Sequence, residues 1–270
     1  MSHSVVPSST ICGGLWNVRS ALTKMSLVAQ LMCDDCLDFI FLTETWQVSS
    51  IAGKMDVFSS SFVEIAGAED LDVRVFAKPR PGARRGGGVA LLCKRSISAN
   101  NFSVKFPCPS TFEFLSVKFC FGSSFVCIGL YRSPTGSSFS RFMCELRFLL
   151  ISLSALDLPS VIVGDFNIKL NIPEDRNTRS FLRLLSEYNF VTLCSESPTH
   201  CRGNTLDFLV VSDGFSSVFS SVVSDTSVQG SDHFPVLFNL CFDGYQSAPL
   251  NVVKLKTFRS LKNQILLNLV

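Results

Sequence analysis

Polar residues that could do chemistry stand at the ends of apolar runs throughout this 270-residue chain. The run Val161 to Gly164 stops at Asp165, Phe166 and Asn167, and Leu37 to Leu42 stops at Thr43, Glu44, Thr45 and Trp46. Leu15 to Val18 carries Asn17, with Arg19 at its exit; Ser124 to Tyr131 ends on a phenol, Thr205 to Val211 holds Asp207, and Asp232 and His233 precede Phe234 to Leu240. Ends of buried strands, with the loops that follow, are where a rigid scaffold presents reactive groups. A carboxylate and a carboxamide two residues apart, as in Asp165 and Asn167, share a face while the segment stays extended, and such a pair can hold a water and a phosphate oxygen together. Residues scattered along the chain at the same kind of position are how one edge of a layered sheet assembles a site.

The elements that must position them alternate. Leu22, Met25, Val28, Leu31 and Met32 recur at helical spacing, so Ala21 to Cys33 reads as an amphipathic helix that delivers the strand Leu37–Leu42. Phe139, Phe142, Met143, Leu146, Leu149, Leu150 and Leu153 form a second helix face before Val161, and a third helix over Thr178–Tyr188 feeds a strand at Val191–Leu193. Strands at Val89–Cys93, Phe102–Phe106, Phe112–Phe119 and Ser124–Tyr131, with turn residues between them, read as a meander. Thr205–Val211 and Phe234–Leu240 are expected as the last two strands. The span Gln47–Arg85 reads as a long surface excursion, weakly alternating at Ser61–Ile65 and basic at Lys78–Arg85. Residues 1–10 read as a flexible lead-in, 11–243 as one domain, and 244–270 as a linker with an amphipathic helix over Thr257–Val270, the start of a truncated downstream region.

A formal net charge of +2 does not announce a nucleic-acid binder, so any binding face must be local. Mean hydropathy is high at +0.33, with 25 Phe, yet the best apolar run, Phe142–Leu156, is interrupted by Glu145 and Arg147; no membrane span is expected. Eleven cysteines without regular spacing, and no secretory signal at the start, predict reduced thiols in the nucleus or cytoplasm.

Taken in order, the runs W-N-V-R (Trp16–Arg19), L-T-E-T-W (Leu42–Trp46), Y-R-S-P (Tyr131–Pro134), G-D-F-N (Gly164–Asn167), T-L-D-F-L-V (Thr205–Val210) and S-D-H (Ser231–His233) resemble the endonuclease/exonuclease/phosphatase superfamily. Within it, L-T-E-T-W, R-R-G-G-G-V-A and G-N-T-L-D-F look most like the apurinic-type endonuclease domain of non-LTR (LINE-like) retrotransposons, from Ile11 to about Leu240. The resemblance implies an α/β fold, a four-layered sandwich of two mixed, mostly antiparallel sheets packed face to face with flanking helices. It implies a Mg²⁺-dependent DNA endonuclease (Mn²⁺ as the substitute ion) that nicks one strand to leave 3′-hydroxyl and 5′-phosphate, with DNA as partner and a reverse-transcriptase domain elsewhere in a longer polypeptide. Same-fold alternatives are a repair endonuclease or a phosphoinositide or sphingolipid phosphodiesterase, and another class is a catalytically silent remnant.

Phosphodiester hydrolysis needs an in-line nucleophile, charge neutralisation on the nonbridging oxygens and help for the leaving oxygen. By resemblance, Glu44 is the first metal ligand, with Asn17 and Asp232 supporting the ion. Asp165 orients or deprotonates the attacking water, and Asn167 binds a phosphate or metal-adjacent oxygen. Asp207 fixes the tautomer of His233 and raises its pKa, and Tyr131 donates to a phosphate oxygen. Arg132, Thr199 and Ser231 complete the set as substrate-binding or supporting groups. Y-R-S-P departs from the family wording in carrying Ser133 where a second proline is commoner.

Blander readings stand beside these. A lone Asp-Asn pair after a strand is usually an Asx turn, a single His is most often structural, and a Glu at a strand end is often only solvated. His200 reads as ordinary loop chemistry and stays outside the set. Cys33-Asp-Asp-Cys36 lacks a second pair, so zinc is not expected, and Gly86–Gly88 lacks a following G-K-S/T, so it reads as a turn. The basic tract Lys78–Arg85 is either solvated loop charge or a grip on DNA phosphates.

Overall fold

The computed structural model describes residues 10–47, 71–80, 86–121, 123–134 and 138–242. Twelve strands among these residues form two six-stranded sheets. The first sheet has the order β11-β12-β1-β2-β4-β3, with β1 Thr10–Asn17, β2 Phe39–Thr43, β3 Val73–Lys78, β4 Val89–Lys94, β11 Phe219–Ser224 and β12 Val236–Cys241. The second has the order β5-β6-β7-β8-β10-β9, with β5 Ala99–Asn101, β6 Glu113–Phe121, β7 Ser123–Tyr131, β8 Ser160–Asp165, β9 Phe190–Leu193 and β10 Asp207–Ser212. Each sheet contains one parallel pair, β1 with β2 and β7 with β8; the other pairings are antiparallel. Parallel neighbours need a crossover, and helices supply it: α1 (Met25–Asp34) joins β1 to β2 and α2 (Phe139–Ser154) joins β7 to β8.

Period-two alternation sorts side chains into layers. In β2, Phe39 and Phe41 enter the core between the sheets, while Ile40 and Leu42 face α1; in β8, Val161 and Val163 face inward and Ile162 faces α2 and α3 (Arg176–Glu187). The result is the four-layered sandwich that the sequence led us to expect. Its middle is aromatic, with Phe39 packed 4.8 Å from Phe119 and 5.8 Å from Phe238. At Gly129 in β7 the two sheets approach closely, since a Cβ there would collide with the ring of Phe41.

Several elements differ from the sequence reading. The first strand starts at Thr10, which pairs with Cys241, so the end of the lead-in is already part of the sheet. Inside the supposed surface excursion, β3 pairs with β4 along its whole length; it is an edge strand with charged residues and a nearby Pro, which weakens its apolar signature. The expected meander is divided, because β4 belongs to the first sheet and β5 to β7 to the second. Phe102–Phe106 is not a strand: after the Phe102 amide donates to Ser116, the chain leaves the ladder, and both rings cover the outer core beside α2. The Ser/Val-rich stretch before Asp232 contains β11, an edge strand with a bulge whose serines blunted the signal. Residues 48–70, 81–85 and 243–270, including most of the basic tract and the helix expected over Thr257–Val270, lie outside the described residues. All eleven cysteines are free, and among the described residues no helix is long and apolar enough to cross a membrane.

Candidate active site

Register brings the polar strand ends to one edge of both sheets. Asn17 pairs with Thr43 at the ends of β1 and β2, Tyr131 with Asp165 at the ends of β7 and β8, and Asp207 with Asp165 from the start of antiparallel β10. Beyond β1 and β2 the ladder continues into the loops, Ser20 donating to the Glu44 carbonyl and Ala21 to that of Thr45. Those loops hold non-glycine residues with positive φ at Arg19 (44°), Ser20 (87°), Glu44 (53°) and Trp46 (56°), and Asn167 (49°) adds another across the cleft. Left-handed backbone of this kind persists only where surrounding contacts over-determine it.

Asp165 is fully buried. Its Oδ1 accepts the Asn167 amide at 2.9 Å, and its Oδ2 accepts Asn17 Nδ2 at 2.9 Å and Asn167 Nδ2 at 3.2 Å. Asp165 and Asn167 therefore meet through an Asx turn, with the strand ended, instead of through extended alternation; the bland geometry and the functional one coincide. Asn17 Nδ2 also donates to Glu44 Oε1 at 3.2 Å, so one carboxamide ties the two carboxylates together. Glu44 Oε1 accepts the Tyr131 hydroxyl at 2.8 Å, and Glu44 Oε2 accepts Trp46 Nε1 at 3.1 Å. Burial and the negative charge of Glu44 push the Tyr131 phenol far up, so it stays a donor.

Opposite lies the imidazole. His233 Nδ1 is 2.7 Å from Asp207 Oδ2, and its Nε2 is 4.0 Å from Asp165 Oδ2. Burial alone would lower its pKa, but the charge and hydrogen bond of Asp207, with help from Asp165, raise it to about 9. Burial first, then the charge of Asp207, push the Asp165 carboxyl upward against the pull of His233. These two buried acids and one imidazole lie together as one cluster.

The supporting groups are equally specific. Thr199 is fully buried; its hydroxyl donates to Asp207 Oδ2 at 2.9 Å and accepts the amides of Leu206 (2.9 Å) and Asp207 (3.1 Å), so it aims the dyad from within. Ser231 donates to the Asn17 carbonyl at 2.8 Å and accepts the His233 amide at 3.3 Å, which ties the loop before β12 to the end of β1 within the first sheet. Arg132 points inward: it lies 4.8 Å over the Phe142 ring and donates to the carbonyls of Phe166 (3.2 Å) and Asn167 (3.3 Å), while its own carbonyl accepts Asn167 Nδ2 at 2.7 Å. Asp232 pairs with Arg19 at 2.7 Å and lies 3.5 Å from His200, whose ring sits edge-on to His233 at 4.7 Å between centroids. His200 and Arg19 are site neighbours that the sequence reading left without a role: the pairing of the loop at 199–203 with the segment at 232–234 brings His200 there, and Arg19 reaches Asp232 from the exit of β1.

The residue-14–233 match to the sequence profile of the Endonuclease/Exonuclease/phosphatase family covers most of the chain. The chain belongs to this family. Its members are hydrolytic phosphodiesterases and nucleases, typically dependent on a divalent metal. No curated protein matches in sequence. Among solved structures, the endonuclease domain of TRAS1, a telomere-specific non-LTR retrotransposon, is similar with a TM-score of 0.66 and 12% identity, over 86% of this chain and 98% of that one. The AP endonuclease LMAP from Leishmania major gives 0.61 and 15%, over 86% and 88%, respectively. A 3′ phosphatase, NExo from Neisseria, bound to product DNA hairpin, gives 0.57 and 15%, over 85% and 99%. At these identities the likeness establishes a shared fold.

The donor chemistry fits a hard divalent ion of the kind this family uses. Glu44 offers carboxylate oxygens in a half-buried setting, and Asp207 Oδ1 is buried with no hydrogen-bond partner among the described residues. Oxygen donors of this type suit Mg²⁺ or Mn²⁺, which one or two carboxylates can hold while waters and substrate complete the shell.

Proposed function

We propose that this family member is a divalent-metal-dependent DNA endonuclease that nicks one strand to leave 3′-hydroxyl and 5′-phosphate, and that it works in the nucleus or cytoplasm. The observation that carries the reading is the Asp207–His233 pair at 2.7 Å, with the His233 Nε2 edge turned toward buried Asp165. In this reading residues 11–243 form the catalytic domain. Glu44, with Asn17 beside it, would hold Mg²⁺ or Mn²⁺, which would supply charge neutralisation at the phosphate and the leaving oxygen.

Every other step falls to the chain's own groups. Asp165 accepts the proton of the attacking water, and Asn17 and Asn167 hold its carboxylate aimed. Imidazolium His233, protonated because Asp207 stands behind it, faces a nonbridging phosphate oxygen and stabilises the charge that grows there. The Tyr131 hydroxyl, whose proton is given to Glu44 Oε1 here, would turn to donate to a second oxygen. The likeness to a retrotransposon endonuclease domain supports a nick that serves as a primer for a reverse-transcriptase domain in a longer polypeptide.

The test is relaxation of supercoiled plasmid by the full chain in Mg²⁺ or EDTA, beside Asp165→Asn and His233→Ala. Open circles that need the ion and vanish in both variants, with nicks a DNA polymerase can extend directly, are expected. A folded wild type as inert as its variants would refute a DNA substrate.

A further inference from the structure

The Asp232 carboxylate is held from two sides. Arg19 reaches its Oδ2 at 2.7 Å, and His200 Nε2 lies 3.5 Å from the same oxygen. The Arg202 amide donates to His200 Nδ1 at 3.1 Å, so in the neutral ring the proton is on Nε2 and is directed at Asp232. The Arg19 backbone is itself fixed, although its side chain is half exposed. Its backbone adopts φ 44°, Lys24 Nζ donates to its carbonyl at 2.9 Å and to that of Val18, and its own amide donates to Asn17 Oδ1 at 3.3 Å. That last bond turns the Asn17 amide nitrogen toward Glu44 and Asp165.

A divalent ion drawn to Asp232 would meet a guanidinium already on the carboxylate, and like charges at such range repel strongly in a partly desolvated cleft. On the far side Asp207 Oδ2 is bonded to His233 and Thr199, and the Asp165 carboxylate is held by Asn17 and Asn167. We infer that Arg19 is a positioning residue that withdraws Asp232 from metal binding, so that a single ion is held at Glu44 without Asp232, with Arg19 supplying the second positive charge at that mouth. The inference rests on the metal-dependent reading above and departs from the expectation that Asp232 supports the ion. It also implies weak binding in the absence of DNA, because one carboxylate leaves most of the shell to water and phosphate.

The experiment is Mn²⁺ titration of the full chain without DNA, read by the loss of the free-ion paramagnetic resonance signal and by calorimetry. Wild type is expected to bind one ion weakly, with binding lost in Glu44→Gln and unchanged within twofold in Asp232→Asn. Arg19→Ala is expected to bind about tenfold tighter or to gain a second ion as ligand charge increases. That gain should vanish in the Arg19→Ala/Asp232→Asn double variant and be absent from Arg19→Lys, which keeps the charge. Equal weakening by Asp232→Asn and Glu44→Gln, or an Arg19→Ala variant indistinguishable from wild type, would overturn the inference. These readouts need no DNA cleavage, so an inert nuclease and a wrong assignment of Arg19 give different results.

Discussion

Asp207 Oδ2 takes two short hydrogen bonds, from His233 and Thr199, while its Oδ1 has none among the described residues. The asymmetry sets the protonation of His233, whose pKa of about 9 lies above its ordinary 6.5. A proton bound more tightly in the folded state stabilises it fully below pH 6.5, and that stabilisation is lost as pH rises through about 9. Burial raises Asp165 as well, so its proton adds stability of the same sign, present at low pH and lost on the way up. Under the proposed mechanism, activity is expected to follow a bell, rising as Asp165 gives up its proton and falling as His233 loses its own. Asp207→Asn should lower the His233 pKa and move the alkaline limb of the nicking profile with it. Nuclear magnetic resonance titration of the imidazole nitrogens reads this directly, and an unmoved His233 would show that Asp207 is not the cause.

At the scale of elements, the start of α2 and the end of β8 clamp Arg132 between aromatic rings and carbonyls. A phosphate contact and a buried brace predict different salt behaviour. Each lost phosphate contact should flatten the slope of log affinity against log salt by about 0.9 on duplex DNA. Arg132→Gln is therefore expected to leave the slope unchanged while lowering turnover, because the Asn167 turn loses its brace; a flatter slope would instead place Arg132 on the DNA. α3 offers the contrast. Asp175 caps it, its inner face is Thr178, Phe181, Leu182, Leu184 and Leu185, and Arg176, Arg179 and Arg183 stand exposed with no ion-pair partner among the described residues. Thr178 donates to the Lys169 carbonyl at 3.2 Å, which ties this helix to the loop leaving Asp165 and Asn167. If DNA crosses that rim, replacing all three arginines with Ala flattens the slope by as much as about 2.7, whereas an unchanged slope puts the duplex elsewhere.

Across the whole molecule, the site exists only because two sheets stack with their polar ends level. Phe41 bridges them, fully buried against Gly129. Phe41→Ala is expected to cost about 3–5 kcal/mol, seen as a lower urea midpoint with the denaturant slope preserved. Gly129→Val should destabilise by overpacking the same contact. Activity per folded molecule should change little in Phe41→Ala if the layers remain in register, and a selective loss of activity would mean that the cleft depends on that ring.

The sequence by itself determined the parts governed by local rules. Helices α1, α2 and α3 follow from apolar spacing, the buried strands β2, β8 and β10 from uninterrupted β-branched and aromatic runs, and the identities of Asn17, Glu44, Tyr131, Asp165, Asp207 and His233 from polar residues placed at strand ends. Edge strands β3 and β11 stayed hidden because half of each faces solvent and their charged or serine positions erase alternation. Pairing across the chain decided the rest. Which sheet β4 joins, that Arg132 turns inward, that Thr199 aims Asp207, and that Arg19 and His200 close on Asp232 all depend on contacts between residues far apart in sequence, which no local pattern encodes.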